Sequence, residues 1–92
     1  MLYGIFTVFD RATRCFGRPF FSQTQDSAKR AFSDEVNRAS PENQMWQHPG
    51  DFELYDLGGF DDATASVEAH AQPVFLVNGS HVQRRAVEKG SE

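Results

Sequence analysis

The chain has 92 residues, with nine Lys/Arg against thirteen Asp/Glu and a net charge of −4. That length is a single-domain length, and folding buries about 64% of the ~15,100 Å² exposed by the unfolded chain, which allows one modest core and no separate catalytic domain. An acidic average excludes indiscriminate coating of nucleic acid, and the single cysteine, Cys15, excludes an intrachain disulfide and fits a reducing compartment.

Leu2 to Phe9 is rich in β-branched and aromatic residues on both alternating faces, which predicts a central strand covered on both sides. Asp10-Arg-Ala-Thr-Arg-Cys is a polar connection. Phe16 to Ser22 resumes an extended pattern, in which Pro19 restricts the strand to an edge or to its start. The two segments predict a loose hairpin. Residues 26–38 form the one clear helix, because Ala28, Ala31, Phe32 and Val36 share one stripe at about 100° per residue. Asp26 suits the N-cap, and Pro41 prevents continuation. Lys29, Arg30, Ser33, Asp34 and Asn37 fall on the polar side. Glu35 lies inside the apolar stripe, where a carboxylate needs donors, so it is expected to bond loop amides or His48.

Residues 40–50 are a loop with turn formers at both ends and Trp46 as its plug. Phe52 to Leu57 reads as a strand, with Gly58-Gly59 as the corner through which it leaves the sheet. Asp51, Asp56 and Asp61 are expected on the solvent side or as turn caps. Asp61-Asp-Ala-Thr is a turn, and Ala65 to Ala69 a returning partner. Pro73 to Val77 is a short apolar strand closed by Asn78-Gly79, after which His81-Val82 continues the sheet. No internal repeat is evident. The pattern predicts an α+β fold in β-β-α-β-β order: an antiparallel sheet of four to five strands with one main helix packed on it. Residues 1–82 make this single domain, and 83–92 a polar, mobile tail. Exposed edges and a small core predict a homodimer.

Phenylalanine occurs nine times, against four leucines and one isoleucine. Most of those rings must fill the core; one or two left outside would make a stacking surface. Charge is also uneven. Residues 1–38 carry six Lys/Arg and four Asp/Glu, whereas residues 39–92 carry three and nine. Arg11, Arg14 and Arg18 interleave with Phe16, Phe20 and Phe21, and Lys29 and Arg30 follow on the exposed helix side. Arginines for phosphates beside a ring for bases are what single-strand binding needs; the same residues also suit an ordinary solvated turn.

In order along the chain, Phe-Asp-Arg-Ala-Thr, Gly-Arg-Pro-Phe-Phe, Asp-Glu-Val-Asn and His-Pro-Gly-Asp-Phe-Glu-Leu-Tyr-Asp-Leu-Gly-Gly-Phe-Asp precede a proline, a short apolar run and Asn-Gly. Over residues 2–82 this resembles the small nonstructural protein of gokushoviruses, the tailless single-stranded-DNA phages of the microvirus group. The resemblance implies a protein of the infected cell, absent from the mature virion, that acts on the genome during replication or packaging. It supplies no active-site residues.

The resulting expectation is a phage accessory protein binding DNA, single-stranded in preference, in the host cytoplasm. Arg11, Arg14 and Arg18 would hold phosphates, Phe16 would offer a stacking face, and Lys29 with Arg30 would extend the track. The alternative is an interaction module whose acidic half, with Trp46 and Tyr55, docks on the phage replication initiator or a host replication protein. Enzymatic activity is not expected. His48, Asp51, Glu53 and Asp56 lie on an extended segment whose alternate side chains diverge, which argues against a metal, and no phosphate loop or nucleophile elbow implies a cofactor or catalytic residue. No run approaches a membrane span, and the start lacks a basic leader, so a cytosolic chain is expected.

Overall fold

The computed structural model describes residues 1–84, so the expected tail lies, from residue 85 on, outside the described residues. Strand β1 (Leu2–Asp10) runs through the middle of an antiparallel sheet. Along one side it pairs in turn with β2 (Cys15–Phe16) and β3 (Phe20–Ser22). On its other side lies β4 (Phe52–Asp61), which pairs with β5 (Ser66–Asn78) at the far edge. With the main helix α1 (Gln25–Val36) and a short α2 (Gln44–Gln47), the fold is α+β. The second expected strand is split at Gly17-Arg18-Pro19. The gap stays tied to β1, because the Gly17 amide donates to Val8 O at 2.8 Å and the Thr7 hydroxyl donates to Gly17 O at 2.8 Å.

Helix α1 is capped by Thr24, not Asp26. Thr24 Oγ1 accepts from the Ser27 amide and Ser27 Oγ accepts from the Thr24 amide, each at 3.0 Å, a reciprocal box built with serine. Asp26 sits in the first turn, where a negative charge complements the exposed amides. Ala28, Phe32 and Val36 are buried against Phe6 and Leu54, and this cluster is the core. Glu35 stays outside it. Its two oxygens bind the Arg38 guanidinium at 3.0 and 2.7 Å, and those bonds hold its carboxyl below the usual carboxylate range. The pair adds a small stabilisation near neutrality that fades as pH falls through that lowered value, because both side chains remain well hydrated.

The clasp expected of Glu35 is Asn43. Its buried amide donates to Glu35 O and Arg38 O, each at 2.9 Å, while its oxygen caps α2 through the Met45 amide at 3.1 Å. Gln83 and Arg84 are also held. The Arg84 amide donates to Asn37 Oδ1 at 2.6 Å, tying the end of the described chain to α1.

Strand β4 does not leave the sheet at Gly58-Gly59. It runs on to Asp61, with Leu57 as an extra residue between the Ile5–Gly58 and Phe6–Asp56 pairs. Opposite it, β5 inserts His70 to Pro73 between Ala69 and Val74, so the two expected segments of β5 are one interrupted strand. Gly58 has φ +146°, and a Cβ there would collide with the Glu68 carbonyl. Asp56 is the buried fastener of this region. Its Oδ1 accepts from the Gly58 amide and meets His70 Nε2, both at 3.0 Å, and its Oδ2 accepts from Gln25 Nε2 at 2.8 Å. One carboxylate thus joins both irregularities to α1, whereas the sequence reading placed it on the solvent side or as a turn cap. At its end β5 turns into a 3₁₀ turn, Gly79–His81, capped by Asn78, so His81-Val82 does not extend the sheet.

The chain also contains a short repeat that the sequence reading missed. Phe9-Asp-Arg-Ala-Thr-Arg closes β1–β2, and Phe60-Asp-Asp-Ala-Thr-Ala closes β4–β5. In each, the Asp carboxylate accepts from the Ala amide two residues on at 2.9 Å. In each, the Asp carbonyl accepts from the amide four residues on, at 2.7 and 2.8 Å, and that fourth residue has φ +60°. Asp10 pairs with Cys15 and Asp61 with Ser66, so both hairpins have the same four-residue loop. Because β1 and β4 are antiparallel, the two loops stand at opposite ends of the sheet.

Asp56→Ala leaves buried donors unpaired and is expected to cost about 1–3 kcal/mol in urea unfolding. Gly58→Ala is expected to cost more than about 1 kcal/mol. Gly59→Ala, whose added carbon would meet only an ordinary contact with Tyr3 O, costs far less.

Candidate nucleic-acid interface

Alternation along β1 sends Phe6 and Val8 toward α1, and Tyr3, Ile5, Thr7 and Phe9 to the other face. Register then decides what joins them. Phe9 opposes Phe16, Thr7 opposes Tyr55, and Tyr55 opposes Phe75, so rings from β2, β1, β4 and β5 stand on the face away from the helix. They touch in a row. Phe9 and Phe16 have centroids 4.7 Å apart, Phe16 and Tyr55 5.4 Å, and Tyr55 and Phe75 5.8 Å, the last two edge to face. Phe16 is 49% exposed and Phe75 50%. Towards the far end of the same face, Phe21 meets Phe60 edge to face at 5.6 Å, and with Tyr3 they line a shallow apolar hollow of about 240 Å³.

Arg11 and Arg14 lie in the β1–β2 loop and Arg18 in the gap between β2 and β3, so the fold brings them to the same end as Phe16. Among the described residues none of the three is in an ion pair. The Tyr55 hydroxyl donates to Glu53 Oε1 at 3.3 Å. Burial and the Glu53 charge push its pKa up, while nearby Arg11 pulls the other way, so Tyr55 stays a neutral donor across physiological pH. Glu53, paired with Phe9, is the carboxylate on the ring face.

Lys29 and Arg30 are placed elsewhere. They ride on α1, behind the sheet as seen from the rings, and do not share a surface with Phe16. A larger cavity of about 420 Å³ also lies on the other face, where Asp61 and Glu68 in its lining would repel phosphate. Among the described residues no group of three or more His, Cys, Asp or Glu is placed to hold a metal ion, and no helix is long and apolar enough to cross a membrane.

Phe9 and Phe75 were not singled out by the sequence reading, and Tyr55 only as part of an acidic docking surface. Their alternation within each strand is visible in the sequence, but the pairing of Tyr55 with Phe75 lies between irregularities at Leu76 and at His70 to Pro73 in β5, and no local pattern announces those.

The family model for the phage ORF5 protein matches residues 3–82, all of the sheet but Leu2 and both helices. The chain belongs to that phage family. Neither the curated proteins nor the solved structures contain a match. The matched span of this phage family includes every ring of the row and all three hairpin arginines.

Phe75→Ala removes a half-exposed ring and is expected to cost far less stability than Phe6→Ala, which empties the core and should cost about 3–5 kcal/mol. Paired urea titrations of the two variants check that the row stands outside the core.

Proposed function

We propose that this chain is a nonenzymatic gokushovirus accessory protein, absent from the virion, that binds single-stranded DNA in the host cytoplasm during replication or packaging. The observation that carries the reading is the open ring row, with Arg11, Arg14 and Arg18, none in an ion pair among the described residues, at one end. Rings on neighbouring strands of an open sheet face give successive bases a stacking surface that works for any sequence. Arginine adds bidentate phosphate contacts and can itself stack on a base. The negative mean charge fits a limited number of contacts in place of genome-wide coating.

In this reading Phe16 and Phe75 are the outer platforms and Tyr55 the floor between them. Glu53 works against phosphate, and its hydrogen bond to Tyr55 turns part of its charge away from the strand. Lys29 and Arg30 are left out of the track because the sheet separates them from the rings.

The test is fluorescence anisotropy with single- and double-stranded oligonucleotides across a salt series. Single strands are expected to bind more tightly. The log–log salt slope should be near −2, from about −0.7 per phosphate neutralised by each of three arginines. Alanine at Phe16 or Phe75 is expected to weaken binding by about 1–3 kcal/mol. The Arg11/Arg14/Arg18 triple alanine variant should flatten the salt slope, and Glu53→Gln should strengthen binding at low salt. No binding at low salt by the folded protein sinks this reading. A nuclease-resistant pull-down of the replication initiator or a host replication protein would then favour the docking alternative.

A further inference from the structure

One side chain on the ring face is out of keeping with phosphate binding. Glu53 opposes Phe9 on β1 and is two residues from Tyr55, so its partly exposed carboxylate stands among the rings near the arginine end of the row. The Arg11 amide donates to Asp51 O at 2.8 Å, which fixes that loop beside the start of β4. Among the described residues no cation pairs with Glu53. Its hydrogen-bond partner there is the Tyr55 hydroxyl, on Oε1 at 3.3 Å. A carboxylate has room for about four donors, so Oε2 and one side of Oε1 stay open to whatever lies on the rings. Rings alone take every base, whereas a fixed group beside them that can only accept does not.

We propose that Glu53 is a specificity-determining residue, which reads the Watson–Crick edge of one stacked base and selects guanine. The inference rests on the DNA-binding reading above. Guanine presents N1–H and its N2 amine side by side, two donors that meet the two oxygens of one carboxylate in parallel, as a guanidinium does. Every other base sets an acceptor against the carboxylate. Adenine has N1 beside its amine, cytosine has N3 beside its amine, and thymine has a carbonyl on each side of its N3–H. The bonds to guanine are charge-assisted, and a good bidentate pair separates the right base from a wrong one by about tenfold or more. Tyr55 has a positioning part, because its hydroxyl holds Oε1 and limits rotation of the carboxylate toward water. In a duplex the same guanine edge is occupied by cytosine, so the contact is open only to a single strand.

Fluorescence anisotropy at low salt tests the choice, with labelled thymidine oligonucleotides in which every third base is guanine, hypoxanthine or adenine. The guanine strand is expected to bind about tenfold more tightly than the adenine strand, which stacks as well but lacks the paired donors. Hypoxanthine, which is guanine without its N2 amine, should fall between them. Glu53→Gln presents one donor and one acceptor, a pattern that suits adenine and thymine as well as guanine. It should bring the guanine-to-adenine ratio near one while raising affinity for the all-thymidine strand. Tyr55→Phe keeps the ring and drops the hydroxyl, and should lower the same ratio with little change for adenine. Far-UV circular dichroism confirms that each variant is folded. Equal binding of the guanine and adenine strands by the native chain overturns the inference and leaves the DNA reading standing. A guanine preference that Glu53→Gln leaves intact does the same. No binding of any strand by the folded protein overturns both.

Discussion

One helix can cover only one face of a sheet, and the rest of this structure follows from that limit. Helix α1 spans twelve residues, about 18 Å, and lays Ala28, Phe32 and Val36 on Phe6 and Leu54. Nothing of comparable size lies on the other side among the described residues. The strands nevertheless alternate in the usual way, so half of their side chains point at the uncovered face. On most small sheets that half would be polar. Here it is largely aromatic, and the rings shelter one another edge to face, which buries part of their area while leaving Phe16, Phe21 and Phe75 open.

Holding the rings in line depends on irregularities far from them. Leu57 in β4 and His70 to Pro73 in β5 shift the register so that Tyr55 opposes Phe75 at one end and Phe60 opposes Val67 at the other. Without the extra residue at Leu57, alternation would carry Tyr55 and Phe60 to opposite faces. The Asp56 carboxylate, shared among the Gly58 amide, His70 and Gln25, fixes both shifts and anchors them to the start of α1. Its acidic character, which on sequence alone suggests a solvent-facing or ligand role, serves the backbone.

Much of this was legible in the sequence because it rests on local pattern. The amphipathic stripe gave α1 to within two residues at its end, and the aromatic run gave β1 as the central strand, though one covered by a helix on a single face and not on both as its composition suggested. What escaped was set at a distance. Thr24 outcompeted Asp26 as cap because Ser27 could answer it. Glu35 escaped the core because Arg38 stood one turn away, and Asn43 took the role of clasp. Gly58-Gly59 reads as a corner in isolation, yet in the sheet Gly58 is where the β5 backbone at Glu68 and Ala69 approaches too closely for a side chain. At the ring face, Phe16 with its arginines was visible as an interleaved cluster. Phe75, fifty-nine residues away in sequence, became its companion only through three successive strand pairings.

The twin loops also separate scaffold from address. Each is closed by an aspartate carboxylate and main-chain bonds, with no contribution from the side chains at positions 11, 14 or 65, while Asp62 also holds the Met1 ammonium. Arg14 and Ala65 tolerate the same left-handed backbone, so that site accepts either a long cation or a bare methyl. Evolution can therefore rewrite what each tip attracts without renegotiating the fold, and relatives of this chain can diverge in choice of companion while their sheets remain superimposable.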